Sequence, residues 1–366
     1  MSKGVWLRKY MWFFLLPLGM LLLYTSSYAP NLVEEVYSNI FFKFIGQVLS
    51  RVTGILPFSL AELITILLVV FAVGWIIWIV IRLIKPRLSR GVFVIHLISN
   101  VAFFASIVYF AFIILWGLNY SRLPFASVAG LEIRPTSVNE LAKMSENLIT
   151  KTNDLRTMLE EDSRGVMLLA KGKPEALKRA YIGYVQASKV YPELGGSFGN
   201  PKPIFLSEFM SYTGITGVYF PYTAEANVNM KNNSSMLPST ISHEMAHQRG
   251  YAREDEANYI AYVTCKVHPD HDFQYSGYLL AIIHSMNALN SYDRESYTRL
   301  SSKYSDGVMR DLRDINEFWQ KYEGPVEKIS NSINNAYLKS NMQNDGVYSY
   351  GRMVDLLLAE YRKEIK

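Results

Sequence analysis

The chain has 366 residues, half of them hydrophobic and 19% charged, with a formal net charge of +5. So low a charge content excludes an ordinary all-soluble domain and calls for buried or lipid-facing segments. The small basic excess needs no nucleic-acid partner, since much of it lies beside apolar runs, and the single cysteine, Cys265, excludes an intramolecular disulfide.

The first three elements are apolar. Residues 10–33 and 63–81 carry no charge, and residues 92–118 carry only His96 as an ionisable group; each is long enough for a membrane span of roughly 20 residues. His96 is expected to be hydrogen-bonded inside the bundle rather than to relay protons. Trp75, Trp78, Trp116 and Tyr120 lie near the span ends, where interfacial aromatics belong. Lys3, Arg8 and Lys9 precede the first span, and Arg82, Lys85, Arg87 and Arg90 crowd the link between the second and third with no acid to offset them. The first loop instead balances Glu34 and Glu35 against Lys43 and Arg51. The positive-inside bias therefore puts the N-terminus and that link in the cytoplasm, and everything after residue 118 outside. A cleaved signal peptide ending at Ser27-Tyr28-Ala29 is the rival reading, disfavoured by Pro30 directly after it. Residues 40–48 are apolar but too short to span, and read as an interfacial or re-entrant helix packed on the bundle. A transporter is disfavoured, because the spans hold no charged pair and no internal duplication.

The expected architecture is thus a membrane domain, residues 1–118, followed by an extracytoplasmic domain, residues 119–366, that is mainly α with a small sheet. Within the latter, Ser137 with Glu140 three residues on is a capping box. Behind it, Leu141, Met144, Leu148, Leu155 and Met158 recur at helical spacing to about residue 162. A second helix is expected over residues 174–190. Residues 203–206 read as a short strand, and residues 212–229, rich in Thr, Val, Tyr, Phe and Gly, as a hairpin or edge strand. From Pro238 the chain reads as helical almost to its end, with breaks near Gly250, residues 268–272, 306–307, 324–325 and 341–346.

Residues 243–247 read His-Glu-Met-Ala-His, between Pro238, suited to a first helical turn, and Gly250, suited to a stop. On that helix His243 and His247 share one face, opposite the apolar stripe Leu237, Ile241, Met245. Two imidazoles one turn apart can reach one zinc ion, and Glu244 borders the same cleft, where it can take a proton from water. A further ligand is needed. If a new helix begins near Arg253, Glu254 and Asn258 lie on one face, Glu254 to ligate and Asn258 to orient a ligating imidazole. Glu256 is rotated nearly to the opposite side and is the weaker candidate.

This motif resembles the gluzincin branch of the zincin metallopeptidases, whose third ligand is the first Glu of a Glu-x-x-x-Asp helix. Residues 254–258, Glu-Asp-Glu-Ala-Asn, are similar to the Glu-x-Glu-Ala-Asp/Asn form of several such families. Asn258 replaces Asp, and only six residues separate His247 from Glu254. The spans, the Trp-Gly-Leu-Asn-Tyr stretch at 116–120 and residues 243–250 also resemble a bacterial membrane family of unknown function that is regarded as zincin-like. The resemblance implies a zinc-dependent hydrolase of peptide bonds, with peptide or protein as substrate, lipid as neighbour and Zn2+ as cofactor. A zinc-containing binding or regulatory module of the cell envelope without catalysis is the alternative.

Other residues remain open. Residues 217–220 are a candidate substrate-binding sheet edge or a plain core strand. Tyr350 or Arg352 is a candidate partner for a developing oxyanion. His268, His271 and His284 read as ordinary surface or core histidines before they read as further ligands. Arg249 and Arg253 read as solvated charge or as partners of Glu256 and Asp255. Cys265 reads as a small hydrophobe.

Overall fold

The computed structural model describes residues 13–85, 89–341 and 352–364. Lys3, Arg8, Lys9, Arg87 and Tyr350 therefore lie outside the described residues. Among the described residues the first apolar helix, α1, is Leu15–Ser26, so it ends seven residues before the end expected at residue 33. Its end has a local cause. The Thr25 and Ser26 hydroxyls donate back to the carbonyls of Leu21 and Leu23, each at 2.8 Å, and Ala29, constrained by Pro30, leaves helical space at φ −132°, ψ 52°. Among the described residues two helices are long and apolar enough to cross a membrane.

Residues 33–54 depart from expectation in a second way. A π-helical stretch, Val33–Phe42, runs into α2, Lys43–Gly54; the Tyr37 hydroxyl donates to the Ile114 carbonyl at the end of an apolar helix at 2.9 Å, and the rest packs on the following domain. Polar residues decide this. The Thr53 hydroxyl donates to the Thr223 carbonyl at 3.1 Å, Ser50 Oγ accepts from the Gly199 N–H at 3.1 Å, and a buried ion pair joins Glu34 to Arg122 at 2.6 Å. The apolar side chains of α2, Phe44, Val48 and Val52, stay exposed.

The two long apolar helices are α3, Leu60–Ile84, and α4, Arg90–Leu115. After α4 a capping Ser137 starts α5, Val138–Arg156, as expected. The second expected helix is broken at Ala180 into α6, Gly172–Arg179, and α7, Tyr181–Ala187. Then come β1, Lys202–Ile204, a short α8, Ser207–Ser211, β2, Gly217–Phe220, and β3, Glu225–Asn229. The order is β1-β3-β2, with β1 parallel and β2 antiparallel to the fully buried β3. The sheet holds the N-terminal end of α3. The Glu225 carboxylate accepts the N–H groups of Leu60 and Ala61, at 3.2 and 2.8 Å, where the helix dipole favours an anion by on the order of 1 kcal/mol. Ser59, which caps α3, also hydrogen-bonds Asn227 at 2.6 Å.

The remainder is helical: α9, Leu237–Gln248; α10, Glu254–Lys266; α11, His271–Tyr292; α12, Arg294–Ser301; α13, Asp306–Gln320; α14, Pro325–Ser340; and α15, Met353–Glu364. One break was not expected: Asp293 ends α11 and caps α12, accepting the Ser296 N–H at 3.1 Å. The break expected near residues 306–307 lies just before them, where Ser305 caps α13 by accepting the Val308 N–H at 3.4 Å. The core centres on α10, which packs against α7, α9, α11 and α15. Ile260, Ala261 and Cys265 on it have no exposed surface.

Candidate metal centre

The two ends of α9 explain where its histidines sit. At its C-terminus Gly250 adopts φ +84°, and its N–H bonds the His247 carbonyl at 2.8 Å while Tyr251 N–H reaches back to Ala246 O at 3.2 Å. This is a Schellman turn, and only a residue at ease in the left-handed region makes it cheaply. The turn brings the Tyr251 carbonyl over the His247 ring, 2.7 Å from Nδ1. It also reverses the chain into α10, whose first residue, Glu254, faces back toward α9.

His243 and His247 then converge. His243 Nδ1 lies 2.8 Å from Asn258 Oδ1, so both rings have an oxygen acceptor at Nδ1 and carry their proton there. Both Nε2 lone pairs are thereby left pointing at the same space, and they stand only 3.0 Å apart. Glu254 adds a carboxylate, with oxygens 3.2 Å from His243 Nε2 and 3.6 Å from His247 Nε2. Three side chains that can each donate an electron pair, with these atoms all within 4.8 Å of one another, could hold a metal ion. The donor set fits a metal ion. Burial opposes the charge of His247 and of Glu254, yet their mutual attraction wins: the imidazole is pushed up to about 9 and the carboxyl is held far below its usual range.

Glu244 is not part of that triangle. It is buried, its Oε2 has no hydrogen-bond partner, and burial raises its pKa against the lowering pull of the two imidazoles. Its carboxyl lies under β2: a methyl added at Gly217 would stand 2.6 Å from Glu244 Oε1. The 217–220 stretch is indeed a strand at the sheet edge, paired with β3 alone among the described residues. Gly217→Ala should therefore displace the Glu244 carboxyl while leaving the three other side chains in place. If the site is catalytic, turnover should fall by on the order of 100-fold with metal content unchanged, as measured by steady-state kinetics beside metal analysis.

Glu256 goes elsewhere, accepting from the Phe125 N–H at 2.8 Å and from Arg253 at 2.9 Å. Arg352 lies 3.8 Å from Asp255, on the outer side of α10. Arg249 is not solvated. It is buried over the Tyr184 ring, 3.8 Å from the centroid, and donates to the Leu194 and Met245 carbonyls. His268 stacks on Phe273 and accepts the Asp270 N–H; His271 is exposed. His284 is near enough to feel His243, and burial and then that ring push its pKa down to about 4. Cys265 is buried, its thiol pushed up to about 12 by burial.

Three aromatic residues near the site were given no place in it by the sequence. Trp116 and Tyr120, expected at the lipid interface, are instead buried: the Trp116 ring packs edge-on to His247 at 5.8 Å and against Tyr219 at 4.8 Å. The Tyr120 hydroxyl is 3.0 Å from that of Tyr337 on α14, and the Glu254 carboxylate helps raise the pKa of both. Tyr337 is one of 25 tyrosines, and its neighbours in the chain say nothing of it.

A model of the family described as "Protein of unknown function (DUF3810)" matches residues 37–358. That range takes in α3, α4, the sheet and every residue of the candidate centre. No curated protein and no solved structure matches the chain.

Proposed function

The chain belongs to the DUF3810 family, and we propose that it is a zinc-dependent peptidase of the zincin type, anchored in the cytoplasmic membrane with its site on the outer side. One observation carries this reading. Two imidazoles with their Nδ1 protons engaged aim both Nε2 atoms, with Glu254, into one space beside a buried Glu244 carboxyl whose Oε2 has no partner.

His243, His247 and Glu254 would hold the metal, a donor set suited to zinc. When bound, zinc supplies Lewis acidity toward a carbonyl oxygen and a water molecule. Glu244 Oε2 accepts the proton of the attacking water and passes it to the leaving amine nitrogen; its raised pKa suits both halves of that transfer. Asn258 and the Tyr251 carbonyl hold the two rings in the required tautomer. The edge of β2 receives an extended peptide as an added strand, which favours polypeptide over small ester or amide substrates. The Tyr337 hydroxyl, which accepts from Tyr120 and keeps its own proton free, is the donor for the oxygen that gains charge, a role for which the sequence offered Tyr350 or Arg352.

Membrane placement rests on α3 and α4 together with the cationic link from Arg82 to Arg90. With α1 as a third span, a reporter fused after residue 130 should be found outside the cytoplasmic membrane; a cytoplasmic reporter overturns the orientation. The activity is tested by digesting a peptide library with the purified full chain, with chelator and with zinc restored. Cleavage lost with chelator and regained with zinc is expected. Stoichiometric zinc without cleavage of any peptide favours the non-catalytic binding module.

A further inference from the structure

Among the described residues, helix α14 has an apolar face that is exposed over most of its length. Val326, Ile329, Ile333 and Tyr337 recur at 3, 4 and 4 residues, and Ile329 and Ile333 are 61% and 64% exposed. Lys328 and Lys339 lie on the opposite side. The packed face is separate: an added methyl at Gly214, in the loop after α8, would meet Glu327 and Asn331. At its far end the stripe meets an apolar spanning helix, because the Tyr337 ring packs on Phe112 of α4 at 6.3 Å. Near its start lies a second apolar surface. Phe205 and Phe209 are 90% and 71% exposed, and the N–H groups of Phe205 and Leu206 are held by the Glu62 carboxylate in the first turn of α3, at 2.9 and 2.7 Å. Helix α14 thus runs from beside α8, at the head of one candidate span, to the end of the other.

We propose that α14 and the Phe205–Phe209 surface lie in the outer headgroup and acyl boundary of the membrane that α3 and α4 cross. The occupant of this face is lipid, because it is continuous at both ends with helices whose own apolar surfaces are exposed. An amphipathic helix with cations on its polar side is suited to that plane. The Tyr222 hydroxyl bonds the Val108 carbonyl at 3.0 Å, seven residues before α4 ends, so the domain reaches about 10 Å down that helix. The Tyr337 hydroxyl meets Tyr120, and Glu254 acts electrostatically on both, so the metal site lies close to α14. Its polypeptide substrate would be one presented there, at the bilayer. The lipid contact rests on the membrane reading of α3 and α4 and not on catalysis.

The test uses the full chain in vesicles of phosphatidylglycerol and phosphatidylethanolamine, carrying one environment-sensitive fluorophore on an introduced cysteine; native Cys265 is buried. The positions are Ile329→Cys, Ile333→Cys and Phe209→Cys, with Lys328→Cys as the polar-face control and Val70→Cys on α3 as the membrane control. Lipids spin-labelled on the acyl chain should reduce emission at 209, 329 and 333 by about twofold, with aqueous iodide preferred at 328. Quenching at 70 with iodide access at 329 and 333 like that at 328 overturns the inference and leaves the membrane reading intact. Shielding at 333 that grows with protein-to-lipid ratio, without quenching by labelled lipid, assigns the face to a second copy and also overturns it. Iodide access at 70 removes the membrane reading itself.

Discussion

Glu244→Gln should leave a folded protein that binds zinc as the wild type does and hydrolyses peptide at least about 100-fold more slowly, a loss of roughly 2.7 kcal/mol of transition-state stabilisation. The geometry separates the two properties. Glu244 makes no contact with the ring nitrogens that converge, so its removal takes nothing from the metal. Its Oε2 is the buried carboxylate oxygen without a partner in that cleft. Glutamine keeps size and shape, and can still accept a hydrogen bond where the Tyr219 backbone donates to the native carboxylate. Peptide affinity should therefore survive while the proton acceptor is gone. The decisive measurements are metal stoichiometry, peptide binding and turnover on one preparation. Equal turnover by variant and wild type would sink the proposed role.

The second large effect concerns the metal. His243→Ala should abolish stoichiometric binding, since it removes one of two converging nitrogens. Glu254→Ala should weaken it strongly, leaving two ligands in a partly buried site. Asn258→Ala should cost on the order of 10–100-fold in affinity, because the His243 ring loses the acceptor that fixes its tautomer. Glu256→Gln should keep the metal, as that carboxylate is spent on Phe125 and Arg253. Metal analysis and competition with a chelator across the four variants order them. A set in which the Glu256 change loses zinc while the Glu254 change keeps it overturns the ligand assignment.

What was legible in the chain alone was what local spacing controls. The four-residue spacing of His243 and His247 forces a shared helix face, and Gly250 marks a stop because few other residues take φ +84° without strain. Glu254 and Asn258 are likewise four apart, so a helix starting at Arg253 presents both to α9. The capping Ser137, the strand at 217–220 and the apolar runs of α3 and α4 follow from equally local patterns. Failures in chain order were local too. The first apolar run ended early because hydroxyls at 25 and 26 and Pro30 compete with the helix, and composition averages over such detail.

Only tertiary structure decided the rest. The apolar stretch at residues 40–48 reads as an interfacial or re-entrant helix packed on the membrane bundle. Residues 33–54 turn to the part of the chain after residue 118 because Glu34, Ser50 and Thr53 find partners at Arg122, Gly199 and Thr223, far along the chain. Trp116 and Tyr120 look like interfacial aromatics by position, and are buried beside His247 and Tyr337 because α4 ends against the C-terminal turn of α9. Gly217 over Glu244 and Tyr337 over Tyr120 join residues 27 and 217 positions apart. Periodicity carries no information at such separations. The sequence by itself determined which side chains share a helix face, since backbone geometry repeats every few residues. Which faces meet depended on how the helices and the sheet pack, and that packing assembled the rest of the cleft.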